Sequence, residues 1–179
     1  MNKEDLFLCS LSTAICYGFK NKKETERMGI MKKYFVISML MVIVLLCCSK
    51  SEAINWETDF EEASSSAKAS GKYILLDFSG SDWCGWCIRL EKEVFSQDAF
   101  NDFAKENLVC VLVDFPSAKK QSEELKKQNQ DLARKHNVRG YPTVIILSPD
   151  GKPVGKTGYL QGGPLEYTRH LKKILEDSK

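Results

Sequence analysis

The sequence predicts an α/β domain, with a mixed central sheet flanked by helices on both faces. Three short apolar runs, Tyr73–Phe78, Leu108–Asp114 and Thr143–Leu147, are nearly continuous rather than alternating, which marks strands buried on both faces. Longer stretches with helical spacing separate them, so the strands alternate with helices as in crossover units. A turn at Pro149-Asp150-Gly151-Lys152 follows the last run and leads into one more short segment, and a hairpin there makes the sheet mixed.

In chain order, Trp56 to Ser70 is Ala-rich, with Glu57, Asp59, Glu61 and Glu62 at its start, and reads as a helix that Gly71 ends. After the first strand, Ser79-Gly80-Ser81-Asp82 forms a loop leading to Trp83-Cys84-Gly85-Trp86-Cys87. Ile88, Leu90, Val94, Phe95, Phe100 and Phe103 then recur at helical spacing, with a break or second start signalled by Ser96 and Asp98. Pro116 to Gln130 is polar and continues as a helix ending near Asn137. Pro153 to Lys156 reads as an edge strand and Leu165 to Leu175 as a terminal amphipathic helix, for the order α-β-α-β-α-β-β-α.

The chain of 179 residues is long enough for one such domain. With 26 basic and 24 acidic side chains it has no field for gripping nucleic acid. Lys32 and Lys33 precede an apolar run from Tyr34 to Cys48 that is too short to span a bilayer as a helix. Ser51 and Ala53 then offer small residues before a cut at Ile54, the pattern of a secretory signal peptide. Residues 1–53 are therefore expected to be an N-terminal extension with a signal peptide, and residues 54–179 the domain. Other readings of the run are a retained anchor or a lipoprotein signal at Cys47 or Cys48, and Met28 or Met31 could be the start. Of the seven cysteines, only Cys84, Cys87 and Cys110 lie beyond residue 53. One close pair and one odd cysteine do not staple an exported domain, so the pair points to chemistry.

Two thiols separated by two residues at a helix start can close a small disulfide ring. Cys84 at the helix N-terminus would be favoured as a thiolate, the attacking species in disulfide exchange, with Cys87 one turn on to resolve the mixed disulfide. Half a zinc site is the competing reading, but Cys110, His136 and His170 have no matched ligand spacing. A plain structural disulfide is another, although so small a ring constrains little of the unfolded chain. Cys110 reads as a core residue, and His136 as a favourable charge at a helix end. Lys119, Lys120, Lys126 and Lys127, interleaved with Glu123 and Glu124, read as a solvated helix face, with a partner surface as the other reading.

Trp83-Cys84-Gly85-Trp86-Cys87 after a buried strand, with Gly140-Tyr141-Pro142-Thr143 before a later one, resembles the thioredoxin superfamily. The resemblance runs from about Tyr73 to the end and implies a thioredoxin-like fold. It implies that Pro142 is a cis proline facing the cysteine pair, where Tyr141 offers its backbone to an extended substrate. It also implies that Asp77, a carboxylate in an apolar strand, accepts a proton from the buried cysteine through water. The loop from Asp77 to Cys84 is one residue longer here than in thioredoxin, and a strand-end acid bonded to backbone is the other reading. Tyr141 either shapes which substrates dock or simply packs.

Trp86 stands where thioredoxin has proline and disulfide isomerases have histidine. Histidine there can carry charge and stabilise a thiolate; tryptophan cannot, so a potential on the reducing side is expected. The lead-in loop, Trp86 and the Pro116–Gln130 insertion are similar to small exported thioredoxin-like proteins of the DsbH type. This implies a periplasmic or otherwise exported disulfide reductase that needs no bound cofactor or metal and works as a monomer. Its partners would be disulfide-bonded exported proteins and a membrane thiol electron donor. An isomerase or oxidase on the same site, or a peptide-binding chaperone module, are the alternatives.

Overall fold

A computed structural model describes residues 53–178, so the signal peptide expected over residues 1–53 lies, but for Ala53, outside the described residues. The chain forms β1 (Trp56–Glu57), α1 (Phe60–Ser70), β2 (Tyr73–Ser79) and α2 (Gly85–Leu90), which runs on as a π-helical turn, Glu91–Phe95. Then come α3 (Asp98–Asn107), β3 (Leu108–Asp114), α4 (Glu123–Lys135), β4 (Thr143–Leu147), β5 (Pro153–Thr157) and α5 (Gly163–Asp177). The strands lie in the order β1-β3-β2-β4-β5. β3 pairs parallel to β1 and β2, while β4 pairs antiparallel to β2 and β5, which makes the sheet mixed.

β2 sits in the middle and sorts its side chains by parity. Ile74, Leu76 and Phe78 join Ala63, Ala67, Val111, Val113 and Leu132 on one face, beneath α1 and α4. Leu75 points to the other face, among Leu90, Phe95, Phe100, Tyr167 and Leu171 from α2, its π turn, α3 and α5. Helices thus cover both faces, and the sheet reads as continuous apolar runs. On β5, a Cβ added at Gly155 would lie 2.4 Å from Ile174 Cγ2, so α5 rests directly on the strand backbone.

The local signals work where the chemistry is short-ranged. Asp59 caps α1, its carboxylate accepting from the N–H groups of Glu61 at 2.8 Å and Glu62 at 3.0 Å. Gly71 ends that helix at φ 70°. The break marked by Ser96 and Asp98 is the end of the π turn and the start of α3.

Three expectations need correction. Trp56 and Glu57 are an edge strand paired with Cys110 and Val111, not the start of a helix. Two residues are too few to show a period, and the Trp56 ring is held by Phe95 at 5.1 Å and Phe100 at 6.5 Å. Ser122 caps α4 by accepting from the N–H of Leu125, so Lys119 and Lys120 lie in the loop before α4 and not on the helix face expected for them. His136 is not a helix-end cation. It is buried against Phe78, and that burial, with Lys135 and Lys156 nearby, holds its pKa below the usual histidine value.

Candidate active site

The site grows out of the C-terminal end of β2, where the loop Gly80–Trp83 turns the chain into α2. Cys84 N–H donates to Gly80 O at 2.9 Å, closing the turn, and Cys84 caps the helix that follows. Its sulfur accepts from the N–H of Cys87 at 3.2 Å. Cys84 and Cys87 are joined as a disulfide with their Cα atoms 5.2 Å apart. Once the pair is reduced, the same N–H points at the sulfur that would carry negative charge, which is how a helix start lowers a thiol's pKa. Cys110 is a free thiol inside the core, and burial pushes its pKa up, which keeps it inert.

Both sulfurs are nearly covered, but their surroundings are not. Trp83 and Trp86 are each about half exposed, at 52% and 54%, and Ile88 is exposed beside them. Trp83 is pinned even so: its Nε1–H donates to Phe115 O at 2.8 Å and its ring meets Tyr141 edge-on at 5.8 Å. Phe115 also stacks obliquely on Tyr141 at 5.3 Å. The residue before the first cysteine therefore touches the residue before Pro142, and the two sequence motifs form one rim. The Tyr141–Pro142 bond is cis, and Thr143 closes the turn by donating from Oγ1 to Gly140 O at 2.8 Å. Gly85 has open space where a side chain would go.

The rim is tied to the insertion. Asp82 accepts from the N–H groups of Ser117 at 2.8 Å and Ala118 at 2.7 Å, which hold its carboxyl below the usual range. Asp114 accepts from both the N–H and the hydroxyl of Ser81, at 2.9 and 2.6 Å. Trp86 is held on the opposite side. It packs on Tyr159 at 5.2 Å, with the Arg89 guanidinium 5.4 Å from its ring, while Glu93 accepts from Arg89 at 2.7 Å and from the Tyr159 hydroxyl at 2.6 Å. The sequence reading missed this bracket. Arg89 and Glu93 four apart on a helix was a visible signal, but nothing local announces Tyr159.

Behind the disulfide lies Asp77, opposite Leu112 on β3 and Val144 on β4. It is 5% exposed, and its Oδ1 has no hydrogen-bond partner. Burial, reinforced by the negative charges of Glu91 and Asp114, pushes its pKa up to about 8. A cavity of about 160 Å³ is bordered by both Asp77 and Cys87. Asp77 and Cys87 thus border one space, and Asp77 Oδ1 makes no hydrogen bond there.

A strand that hands its chain to a capped dithiol, beside a cis proline, defines a class, and the comparisons agree. The chain belongs to the thioredoxin-like family, whose profile, described as a thioredoxin-like domain, matches residues 60–174. The disulfide bond reductase DsbH of Chlamydia pneumoniae is 35% identical to it over 123 residues, covering 69% of this chain and 74% of DsbH. The thioredoxin-related protein DsbJ of the same organism is 32% identical over 108 residues, 60% of this chain but 31% of DsbJ. A solved structure of a DsbH oxidoreductase superposes with a TM-score of 0.67 at 34% identity, covering 70% of this chain and 86% of that one. Kinship and dithiol together make the protein a thiol–disulfide oxidoreductase.

The seat of Trp83 is testable through Gly80. A Cβ there would lie 2.5 Å from Trp83 Cε2, against a ring already fixed by its bond to Phe115. Gly80→Ala is expected to displace the indole and cost roughly 1–3 kcal/mol in urea unfolding, with a changed near-UV circular dichroism spectrum.

Proposed function

We propose that the protein is exported and reduces disulfides of other exported proteins, with Cys84 attacking and Cys87 resolving. The observation that carries this is the Cys84 sulfur capped by the Cys87 N–H inside an exposed aromatic rim. The Cys84 thiolate attacks one sulfur of a substrate disulfide, forms a mixed disulfide and expels the other sulfur as a thiolate that takes up a proton. Cys87 gives its proton to the ionised carboxylate of Asp77 and attacks the Cys84 sulfur. That restores the Cys84–Cys87 disulfide and releases the second substrate thiol, so two electrons pass from protein to substrate. A membrane thiol donor returns them, and residues 1–53 carry the export signal. Tyr141, Pro142 and Thr143 line the groove, and Trp83, Gly85 and Trp86 shape its floor and rim.

The surroundings of the pair favour giving electrons away. Strong oxidants of this class owe their potential to a stabilised reduced form. Here Arg89, the cation over Trp86 among the described residues, is already matched by Glu93, and the carboxylate of Glu91 lies on the Cys87 side. Negative charge there disfavours thiolates. The name of the Chlamydia pneumoniae relative, a disulfide bond reductase, supports the same direction.

Equilibration with glutathione is expected to give a potential near roughly −270 mV, and a value near roughly −120 mV would make the protein an oxidant instead. Insulin reduction should vanish in Cys84→Ser, while Cys87→Ser should accumulate a mixed disulfide with its substrate on non-reducing gels. A pure peptide-binding module would keep its binding activity in both.

Asp77 makes a prediction with a definite sign. Its pKa is higher folded than unfolded, so stability is lost as pH rises from about 4, the unfolded value, to about 8, the folded one. In the oxidised protein, Asp77→Asn should therefore match the parent below pH 4 and exceed it above pH 8 by up to roughly 5 kcal/mol in urea unfolding. The same variant should slow resolution of the mixed disulfide by roughly 10-fold or more.

A further inference from the structure

The reaction as written leaves one group at the site unused. The cavity behind the disulfide is bordered by Asp77 and Ser79 of β2, Ser81 of the loop, Leu112 of β3, and Cys87 and Glu91 of the helical run. Cys87 and Glu91 are four residues apart and share one helix face. They differ from Asp77 in depth: Asp77 is buried, whereas Glu91 reaches solvent while also bordering the cavity. Three carriers of an exchangeable proton thus border one space once the pair is reduced: the Cys87 thiol, a buried carboxyl with no bond at Oδ1, and a carboxyl that reaches solvent.

A buried acid has to pass its proton on before it can act again. The other titratable groups facing Asp77 offer no exit. Asp114 is engaged by Ser81, and Cys110 and Tyr167 are buried with their pKa values raised by that burial. The cavity itself has room for several waters, each needing about 10–15 Å³. Glu91 is partly desolvated, which raises its pKa toward that of Asp77 and makes transfer between them less uphill.

We propose that Glu91 is the solvent-side carboxylate of a two-carboxylate proton path, receiving the proton that Asp77 takes from Cys87 and delivering it to water. When the disulfide is reduced again, a proton enters by the same route and returns to Cys87. No bond other than O–H and S–H changes along this path, and each oxidative half-reaction releases one proton from Cys87. Glu91 acts through Asp77 and is a positioning residue, and the inference rests on the reading of Asp77 as the base for Cys87.

The test follows the resolving step by stopped flow, using a mixed disulfide of Cys84 with a fluorescent thiol, between pH 5 and 9 and at low and high imidazole. Glu91→Gln should slow release of the thiol roughly 3- to 10-fold at low buffer. Imidazole, small enough to carry the proton itself, should restore the parental rate, and Glu91→Asp should stay close to the parent without it. The proposal is overturned if Glu91→Gln resolves at the parental rate at every pH. It is equally overturned if the loss is the same at all buffer concentrations, since that marks a merely structural role. Asp77→Asn separates the two readings. If it is slow while Glu91→Gln is unaffected, only the path falls; if Asp77→Asn is unaffected, the base assignment falls and the path with it.

Discussion

A carboxyl without a partner in the middle of a sheet is the constraint around which the site is arranged. β2 is hydrogen-bonded on both sides and covered on both faces, yet at Asp77 it spends a core position on an acid. Burial, with the charges of Glu91 and Asp114, pushes the pKa of Asp77 up to about 8, so it can take up or give up a proton close to neutral pH. Everything that buries β2 therefore also sets the chemistry of Asp77. A cavity opens the packing around that acid, and Cys87 borders it.

The same strand organises the rim. Its end turns through Gly80 into Cys84, while the paired end of β3 supplies Asp114 to hold Ser81. Asp82 then fastens the loop after β3 by its backbone N–H groups, and Trp83 bonds to Phe115 at the root of that loop. The polar insertion before α4 is thereby joined to the dithiol loop at Asp82, with Ser81 and Trp83 on either side held by Asp114 and Phe115.

Most of the architecture was legible because the decisive signals are short. Apolar runs gave β2, β3 and β4, a Pro-Asp-Gly turn gave the hairpin, and two motifs of four or five residues placed the cysteines and the proline. The misreadings fall where the information is long-ranged. β1 is held by pairing with residues more than 50 positions away and by ring contacts to Phe95 and Phe100. His136 lies at a helix end, as its position suggested, but burial against β2 removes the charge that position would favour. The bracket around Trp86 depends on Tyr159, which follows β5 and is brought to α2 only by the tertiary fold. Glu91 is one helical turn from Cys87 in the sequence, yet its relation to Asp77 exists only across the cavity.

The two sides of the disulfide are built from different materials. Toward solvent stand aromatic rings, exposed and fixed at their edges; toward the core stand carboxyls around a small void. On the proposed function, the residues that meet a client are thus separate from those that govern the proton. Selectivity and reactivity become independently adjustable: changing the rings alters which proteins are engaged without moving the acids, and changing the acids retunes the pair without altering the face it presents. A scaffold divided in this way can be given new clients by substitutions at its surface while its redox character is conserved beneath.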